Sequence, residues 1–143
     1  MNDKTPATSV ETFDPAAHGW ERVKAHNFGE LIGPIWRRGD ALFGIMAAEK
    51  HRNHRGIVHG GMLMSFADQA MGMTGRRATG DKPHATIEMN IQFVGAVRFG
   101  DFVEAGCEVV RKTRSLLFMR STLVVGEKTV ATASGIWKIL GEK

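Results

Sequence analysis

The sequence predicts an α+β domain in which one long central helix is wrapped by a curled antiparallel sheet. Residues 60–77 are the strong helix candidate, because apolar side chains recur there at spacings of one, three and four. Four runs rich in β-branched residues follow, and turn residues separate them. Consecutive strands joined by short turns are expected to be antiparallel neighbours. A helix that is apolar on almost every side needs such a sheet to cover it.

The N-terminal part of the chain shows a weaker pattern. Residues 1–12 lack periodicity, so we expect a flexible tail there, followed by a single domain at 13–143. Asp14 and Pro15 form a helix-start signal, with an N-cap residue before a proline. This signal predicts a short helix over 15–25.

Strands are predicted on both sides of the long helix. Two short strands, at 35–37 and 41–48, flank a turn that contains Gly39. The four later strands are predicted at 86–94, 102–111, 116–125 and 129–140.

Composition limits the class of protein. A chain of 143 residues fits one domain, and its 43% apolar and 24% charged residues are typical of soluble globular proteins. No apolar stretch could span a membrane, and the N-terminus lacks the apolar segment of a secretory signal. The one cysteine, Cys107, has no partner for an internal disulfide. We therefore expect a cytoplasmic protein with no membrane partner.

The start of the long helix carries the first candidate for chemistry. Gly60 and Gly61 let the loop approach a ligand closely and leave first-turn N–H groups unshielded. These groups, at the positive end of the helix dipole, can hold an oxyanion. Eight residues further on, Asp68 is a candidate general base or nucleophile. The alternatives are a turn that needs glycine for its shape alone and an aspartate on the wet face of the helix.

The spacing of these groups limits how they can cooperate. Eight residues at a rise of about 1.5 Å place Gly60 and Asp68 roughly 12 Å apart along the helix axis. One substrate carbonyl cannot touch both groups within one chain. If they act together, they come from different subunits whose helices run antiparallel across a two-fold axis. This geometry predicts an isologous dimer with two equivalent sites.

Four segments together resemble a known family. They are residues 53–68 with Asn, His-Gly-Gly and Asp at characteristic spacing, 86–90, the turn at Gly100 and Asp101, and 130–133. Over about residues 28–140 the chain resembles hotdog-fold acyl-CoA thioesterases of the phenylacetyl-CoA (PaaI-like) type. The resemblance implies a helix wrapped by an antiparallel sheet, and homodimers that often pair into tetramers.

The resemblance also implies roles for single residues. Asp68 would activate water or attack the thioester directly, and the Gly60 N–H would polarise the carbonyl. Asn53 would orient the site or the water, and the Thr86 hydroxyl would lie near the carboxylate. His59 matches a residue at the helix entry that acts more as a structural brace than as an acid or base. An ordinary turn residue remains the alternative for Asn53, and an ordinary strand residue for Thr86.

A coenzyme A thioester would also contact residues outside this motif. Basic residues suit its 3′-phosphate and pyrophosphate, and the candidates are Arg76, Arg77, Arg111, Lys112 and Arg114. The acyl group is expected against one or more of Met62, Met64, Phe66 and Met71, although a core position suits these side chains as well. Coenzyme A is then part of the substrate, and no separate cofactor is expected.

Three other function classes, and a metal site, have weaker support. A hotdog hydratase or dehydratase needs a His that works with a carboxylate, and His59 and Asp68 are nine residues apart. An acyl-CoA sensor would not need Asp68 and usually carries an added interaction segment. Scattered basic residues and the lack of tyrosine argue against nucleic-acid binding. The pair His51 and His54 has too few neighbouring ligands to predict a metal site.

Overall fold

The computed structural model describes residues 12–141, so the predicted tail at 1–12 lies almost entirely outside the described residues. Within them, a seven-stranded antiparallel sheet packs against a 19-residue helix, as predicted. The helices are α1 (Phe28–Ile32) and α2 (Gly60–Ala78). The strands are β1 (Glu21–Arg22), β2 (Ile35–Arg38), β3 (Leu42–Met46), β4 (His84–Phe93), β5 (Phe102–Lys112), β6 (Leu116–Val125) and β7 (Lys128–Ile139).

The strand order across the sheet is β1-β2-β3-β5-β6-β7-β4. The predicted pairing of consecutive strands is confirmed for β5 with β6 and for β6 with β7. It is wrong for β4, which pairs with β7, because the connection at 94–101 carries the chain across to β3 and β5 instead of turning back. This crossover makes β4 one edge of the sheet.

Helix α2 supplies one wall of the core. Leu63, Phe66 and Ala70 are at most 3% exposed, and their spacing of three and four places them on the face toward the sheet. The opposite face carries Ser65 and Asp68, which are only partly buried. The helix is therefore covered by the sheet on one side and open along the other.

The predicted helix over 15–25 is wrong beyond its first turn. A single 3-10 turn spans Pro15–His18, and Asp14 Oδ1 caps it by accepting the Ala16 N–H at 3.1 Å. Gly19 then adopts a left-handed φ of +83°, which ends the turn. The chain continues as β1, because pairing with β2 uses its backbone groups and the neighbouring Trp20 is buried.

Helix α1 has no counterpart in the sequence prediction, because five residues are too few for a periodic pattern. It contacts α2 at Gly29, where an added Cβ would stand 2.9 Å from the side-chain amide of Gln69. Glycine at this position is what lets the two helices approach. Among residues 12–141, no helix combines the length and the apolar character needed to cross a membrane.

Candidate functional site

Asp68 and Thr86 meet where α2 lies beside the edge strand β4. The Thr86 hydroxyl donates to Asp68 Oδ1 at 2.8 Å. A bulge in β4 makes this contact possible, because the pairing register with β7 shifts between Thr86 and Glu88. Thr86 lies opposite the buried Trp137, and Glu88 lies opposite the adjacent residue, Ile136. In a regular strand, residues two apart share one face. The bulge therefore turns Thr86 toward α2 while Glu88 faces away from it.

Asn53 shapes the loop that leads into α2. Its Oδ1 accepts the backbone N–H groups of Arg55 at 2.9 Å and Ile57 at 3.3 Å, and its own N–H donates to the Ile57 carbonyl at 2.7 Å. This is the turn-forming arrangement that asparagine favours. Among the hydrogen bonds of residues 12–141, none involves Asn53 Nδ2, so this amide group can still serve a ligand.

The first turn of α2 presents one backbone donor. His59 is the N-cap, and its Nδ1 accepts the Gly61 N–H at 2.9 Å. The Gly61 N–H is therefore already hydrogen-bonded and is not a donor for a ligand. Because Gly61 has no side chain, a ligand can still approach it closely. The Gly60 N–H donates none of the hydrogen bonds formed among residues 12–141. Gly60 also lies against the ring of Phe93, where an added Cβ would stand 3.1 Å from Cζ.

The predicted phosphate-binding residues gather at the other end of α2. Lys112 Nζ donates to the Ala78 carbonyl at 3.4 Å, which joins the end of β5 to the end of the helix. Arg76 pairs with Asp81 at 3.1 Å, and Arg77 pairs with Asp40. Five exposed basic side chains belong to this end of the molecule: Arg76, Arg77, Arg111, Lys112 and Arg114. Exposed ion pairs are weak, so a phosphate can replace the carboxylate partners.

A cleft of about 490 Å³ opens beside the first turns of α2. Its walls include Phe28 and Leu31 from α1, and Met62 and Ser65 from α2. Met62 is therefore the acyl-contact candidate that lines this cleft. The candidates Phe66 and Met71 are fully buried and belong to the core. A larger cleft of about 570 Å³ lies elsewhere, lined by residues of β3, β5 and β6 such as Glu108 and Arg120.

His51 is a buried residue that the sequence analysis considered only as a weak metal ligand. Its Nε2–H donates to the Ile32 carbonyl at 2.6 Å, and its Nδ1 accepts the Ala48 N–H at 2.9 Å. The Nδ1 bond requires the neutral ring, whereas the Nε2–H bond to the Ile32 carbonyl also suits the protonated ring and acts to raise the pKa. Burial lowers the pKa of His51 below its usual 6.5, and the Lys50 charge acts in the same direction. Within residues 12–141, no three His, Cys, Asp or Glu side chains form a group that could hold a metal.

Phe28, Leu31 and His51 line the 490 Å³ cleft, and the sequence indicated this position for none of them. They belong to short segments before the motif, where no periodic pattern signals a role. The apolar pair Phe28 and Leu31, at a spacing of three, is the one sequence signal for this position, and its exposure is visible only in the structure.

Known proteins share this architecture. Residues 55–132 match the family model described as the thioesterase superfamily. A Pseudomonas aeruginosa protein named as an esterase is 34% identical over 116 residues, which cover 77% of this chain and 86% of that protein. Human acyl-coenzyme A thioesterase 13 is 24% identical over 100 residues, with 67% and 71% of the two chains covered.

A solved structure gives the same result for the fold. The E. coli PaaI protein from the phenylacetic acid degradation operon is similar with a TM-score of 0.70 and 21% identity, over 80% of this chain and 85% of that chain. The hotdog fold that the resemblance implies is confirmed. The segment matched by the family model contains Gly60, Asp68 and Thr86, and it begins just after Asn53.

Proposed function

This chain belongs to the thioesterase superfamily, and we propose that it hydrolyses the thioester bond of an acyl-coenzyme A with Asp68 as the catalytic carboxylate. The observation that carries this proposal is the 2.8 Å hydrogen bond from Thr86 to Asp68 on the open face of α2. A hydroxyl that donates to one carboxylate oxygen fixes its orientation and leaves the other oxygen for water or substrate. The human relative named as an acyl-coenzyme A thioesterase supports the same substrate class.

The oxyanion would form at the Gly60 N–H, the first-turn donor for which residues 12–141 provide no hydrogen-bond partner. Asp68 lies on the same helix about 12 Å away along its axis, so one chain cannot present both groups to one carbonyl. We therefore assign the two groups of each site to two subunits, with a homodimer as the active unit. Pairs of such dimers are compatible with this assignment.

The edge strand β4 is the surface that suits a second subunit. This ten-residue strand pairs with β7 on one side, and no strand within residues 12–141 pairs with its other side. Such an edge is a template for pairing with another strand. Ile87 and Phe93 on this strand are 56% and 51% exposed, which is unusual for large apolar side chains beside a catalytic group. Pairing two copies of β4 across a two-fold axis would cover the edge and bring each Thr86 and Asp68 to the interface.

The basic residues fit the coenzyme A portion in this arrangement. The two α2 helices run antiparallel in this dimer. In the subunit that supplies Asp68, the basic end of α2 begins at Arg76, eight residues or about 12 Å beyond Asp68 along the helix axis. The pantetheine arm would span this distance, so that the phosphates reach the exposed guanidinium and ammonium groups. We place Gly61 beside the thioester group, because it has no side chain to obstruct the substrate.

Hydrolysis then proceeds by addition and elimination at the thioester carbon. A water oxygen that loses its proton to Asp68, or the Asp68 carboxylate itself, forms the new C–O bond while the Gly60 N–H stabilises the oxyanion. Collapse of the intermediate breaks the C–S bond and releases coenzyme A as a thiolate. The thiolate takes up the proton that water gave to Asp68 or, in the covalent route, a proton from the water that later hydrolyses the anhydride. If a covalent anhydride forms, water then hydrolyses it. Asn53 Nδ2 would hold the water or the carbonyl, and His59 would brace the first turn.

The test is a thiol-release assay over several acyl-CoAs with the wild-type chain and Asp68→Asn. We expect the variant to bind the product analogue desulfo-coenzyme A normally and to lose a factor of about 10² to 10⁴ in kcat, because a general base or nucleophile has been removed. Glu127→Gln, in the exposed β6–β7 turn, is the matched control and should keep wild-type activity.

Two results would contradict the proposal. Near-normal turnover by Asp68→Asn would remove the assigned role. A wild-type protein that binds acyl-CoA without releasing thiol would instead support a sensing module, and hydration of an enoyl-CoA without thiol release would support a hydratase.

A further inference from the structure

Helix α1 is fixed at its C-terminal end by side chains from the turn Glu49–His51. His51 Nε2–H donates to the Ile32 carbonyl at 2.6 Å, and Lys50 Nζ donates to the Gly33 carbonyl at 2.6 Å. The last carbonyl groups of a helix have no partner within the helix, so these two bonds satisfy groups that would otherwise need water. The close approach of Gly29 to Gln69 fixes the other side of α1 against α2. A five-residue helix is thus held in one position by its surroundings.

This held helix exposes two large apolar side chains. Phe28 is 56% exposed and Leu31 is 67% exposed, and Ile32 between α1 and the core is buried. Phe28 and Leu31 form one wall of the 490 Å³ cleft, and Met62 lies in the wall that α2 contributes. An apolar cavity of about 150 Å³ is enough to hold a benzene ring. The cleft therefore has room for an aryl ring or a medium-length alkyl chain.

The cleft is continuous with the proposed reaction centre. It is lined by His59, Gly61 and Ser65, which belong to the cap and first two turns of α2. Gly60, which carries the proposed oxyanion donor, lies between His59 and Gly61 at the start of α2. A thioester carbonyl bound at the Gly60 N–H would therefore lie next to residues that line this cleft, so that the acyl group could enter it.

We propose that Phe28 and Leu31 are specificity-determining residues that bind the acyl group and favour aryl or medium-chain alkyl substrates over acetyl-CoA. The inference rests on the proposed thioesterase function. An apolar acyl group would remove both exposed side chains from water, which is a gain that an acetyl group is too small to provide. Selectivity then arises from a wall outside the catalytic motif.

The test compares kcat/KM for acetyl-CoA, octanoyl-CoA and benzoyl-CoA in the wild type, Phe28→Ala and Leu31→Ala. Each variant should lose about ten-fold in kcat/KM for one or both of the larger substrates, because pocket contacts of this size discriminate by that order. Activity toward acetyl-CoA should stay within about two-fold of wild type. The octanoyl and benzoyl arms show which of the two shapes the wall prefers. Both residues are exposed, and a thermal melt checks that the variants fold.

Val110→Ala is the matched control, since Val110 is 54% exposed in a different cleft, and its acyl preference should not change. An unchanged preference in Phe28→Ala and Leu31→Ala, in a wild-type protein that does release thiol, would overturn this inference and leave the proposed function intact. Absence of thiol release in the wild type would overturn both. If the two variants change the dimer dissociation constant in sedimentation and leave acyl preference unchanged, a second subunit covers this wall and the inference is wrong.

Discussion

At the scale of single residues, the Gly60 N–H is the group whose role can be tested with least disturbance. Gly60 is the first residue of α2, a position where proline is well tolerated because its missing N–H has no partner within the helix. His59 has φ −63° and ψ 132°, the extended conformation required before proline. Gly60→Pro therefore removes the proposed oxyanion donor and keeps the helix.

We predict that Gly60→Pro lowers kcat by about 10² to 10³, the usual effect of losing one oxyanion donor. Gly60→Ala is the matched control, because it adds the same Cβ at 3.1 Å from the half-exposed Phe93 ring and retains the N–H. Steady-state kinetics on one acyl-CoA compare the two variants. Equal losses in both would mean that contact with Phe93 matters and the N–H does not.

The residues of the site differ in how far the sequence could predict them. Asp68 is recognisable because a carboxylate in an apolar helix is unusual, and Gly60 because it begins that helix after a glycine-rich loop. The contact between Thr86 and Asp68 depends on the β4 bulge, and only the family resemblance indicated it. Phe28 and Leu31 could not be assigned, because their position follows from hydrogen bonds to a turn 17 to 19 residues later.

At the scale of elements, the long segments and the two short strands around the Gly39 turn, β2 and β3, were predictable, whereas β1 and α1 near the N-terminus were not. Helix α2 and the strands β5, β6 and β7 carry ten or more residues of consistent pattern, and their predicted bounds agree within about two residues. The helix predicted at 15–25 fails because strand pairing by β1 and burial of Trp20 outweigh the local start signal. The predicted pairing of β4 with the next strand is wrong, because β4 crosses over to the edge of the sheet. Packing of the whole sheet decides such a crossover, and turn residues do not reveal it.

The contact between α1 and the turn at Glu49–His51 predicts a pH dependence of stability. Burial lowers the pKa of His51, and burial together with the Arg76 charge lowers the pKa of His84. The native state then binds fewer protons than the unfolded state below the ordinary histidine pKa of 6.5. The stability contributed by neutral His51 is fully present above that pH and declines as the pH falls below it.

We predict that the free energy of unfolding decreases as the pH is lowered from 7.5 to 5.5. His51→Gln should reduce the slope of this free energy against pH, by at most about 1.4 kcal/mol per pH unit for the one group removed. Urea denaturation at several pH values measures it. His18→Gln is the control, because His18 is exposed and its ring contacts the Asp14 carbonyl on the surface. A slope that is the same in His51→Gln and the wild type would contradict the assigned neutral state.

At the scale of the whole molecule, the proposed mechanism requires two copies of the chain. The open face of α2, the free edge of β4 and the exposed Ile87 and Phe93 lie on one side of the molecule, next to Asp68. The rise of the helix separates Gly60 from Asp68 by about 12 Å. Sharing each site between subunits is the arrangement that joins these features, and it makes a specific prediction about mixed dimers.

The most direct measurement is the activity of heterodimers formed by one Gly60→Pro subunit and one Asp68→Asn subunit, isolated through two different affinity tags. Each parent homodimer lacks one group in both of its sites and should be nearly inactive. In the heterodimer, one site combines the intact Gly60 of one subunit with the intact Asp68 of the other, so we predict about half of the wild-type kcat per dimer. Heterodimers as inactive as their parents would show that both groups act within one chain, and the shared site would be wrong.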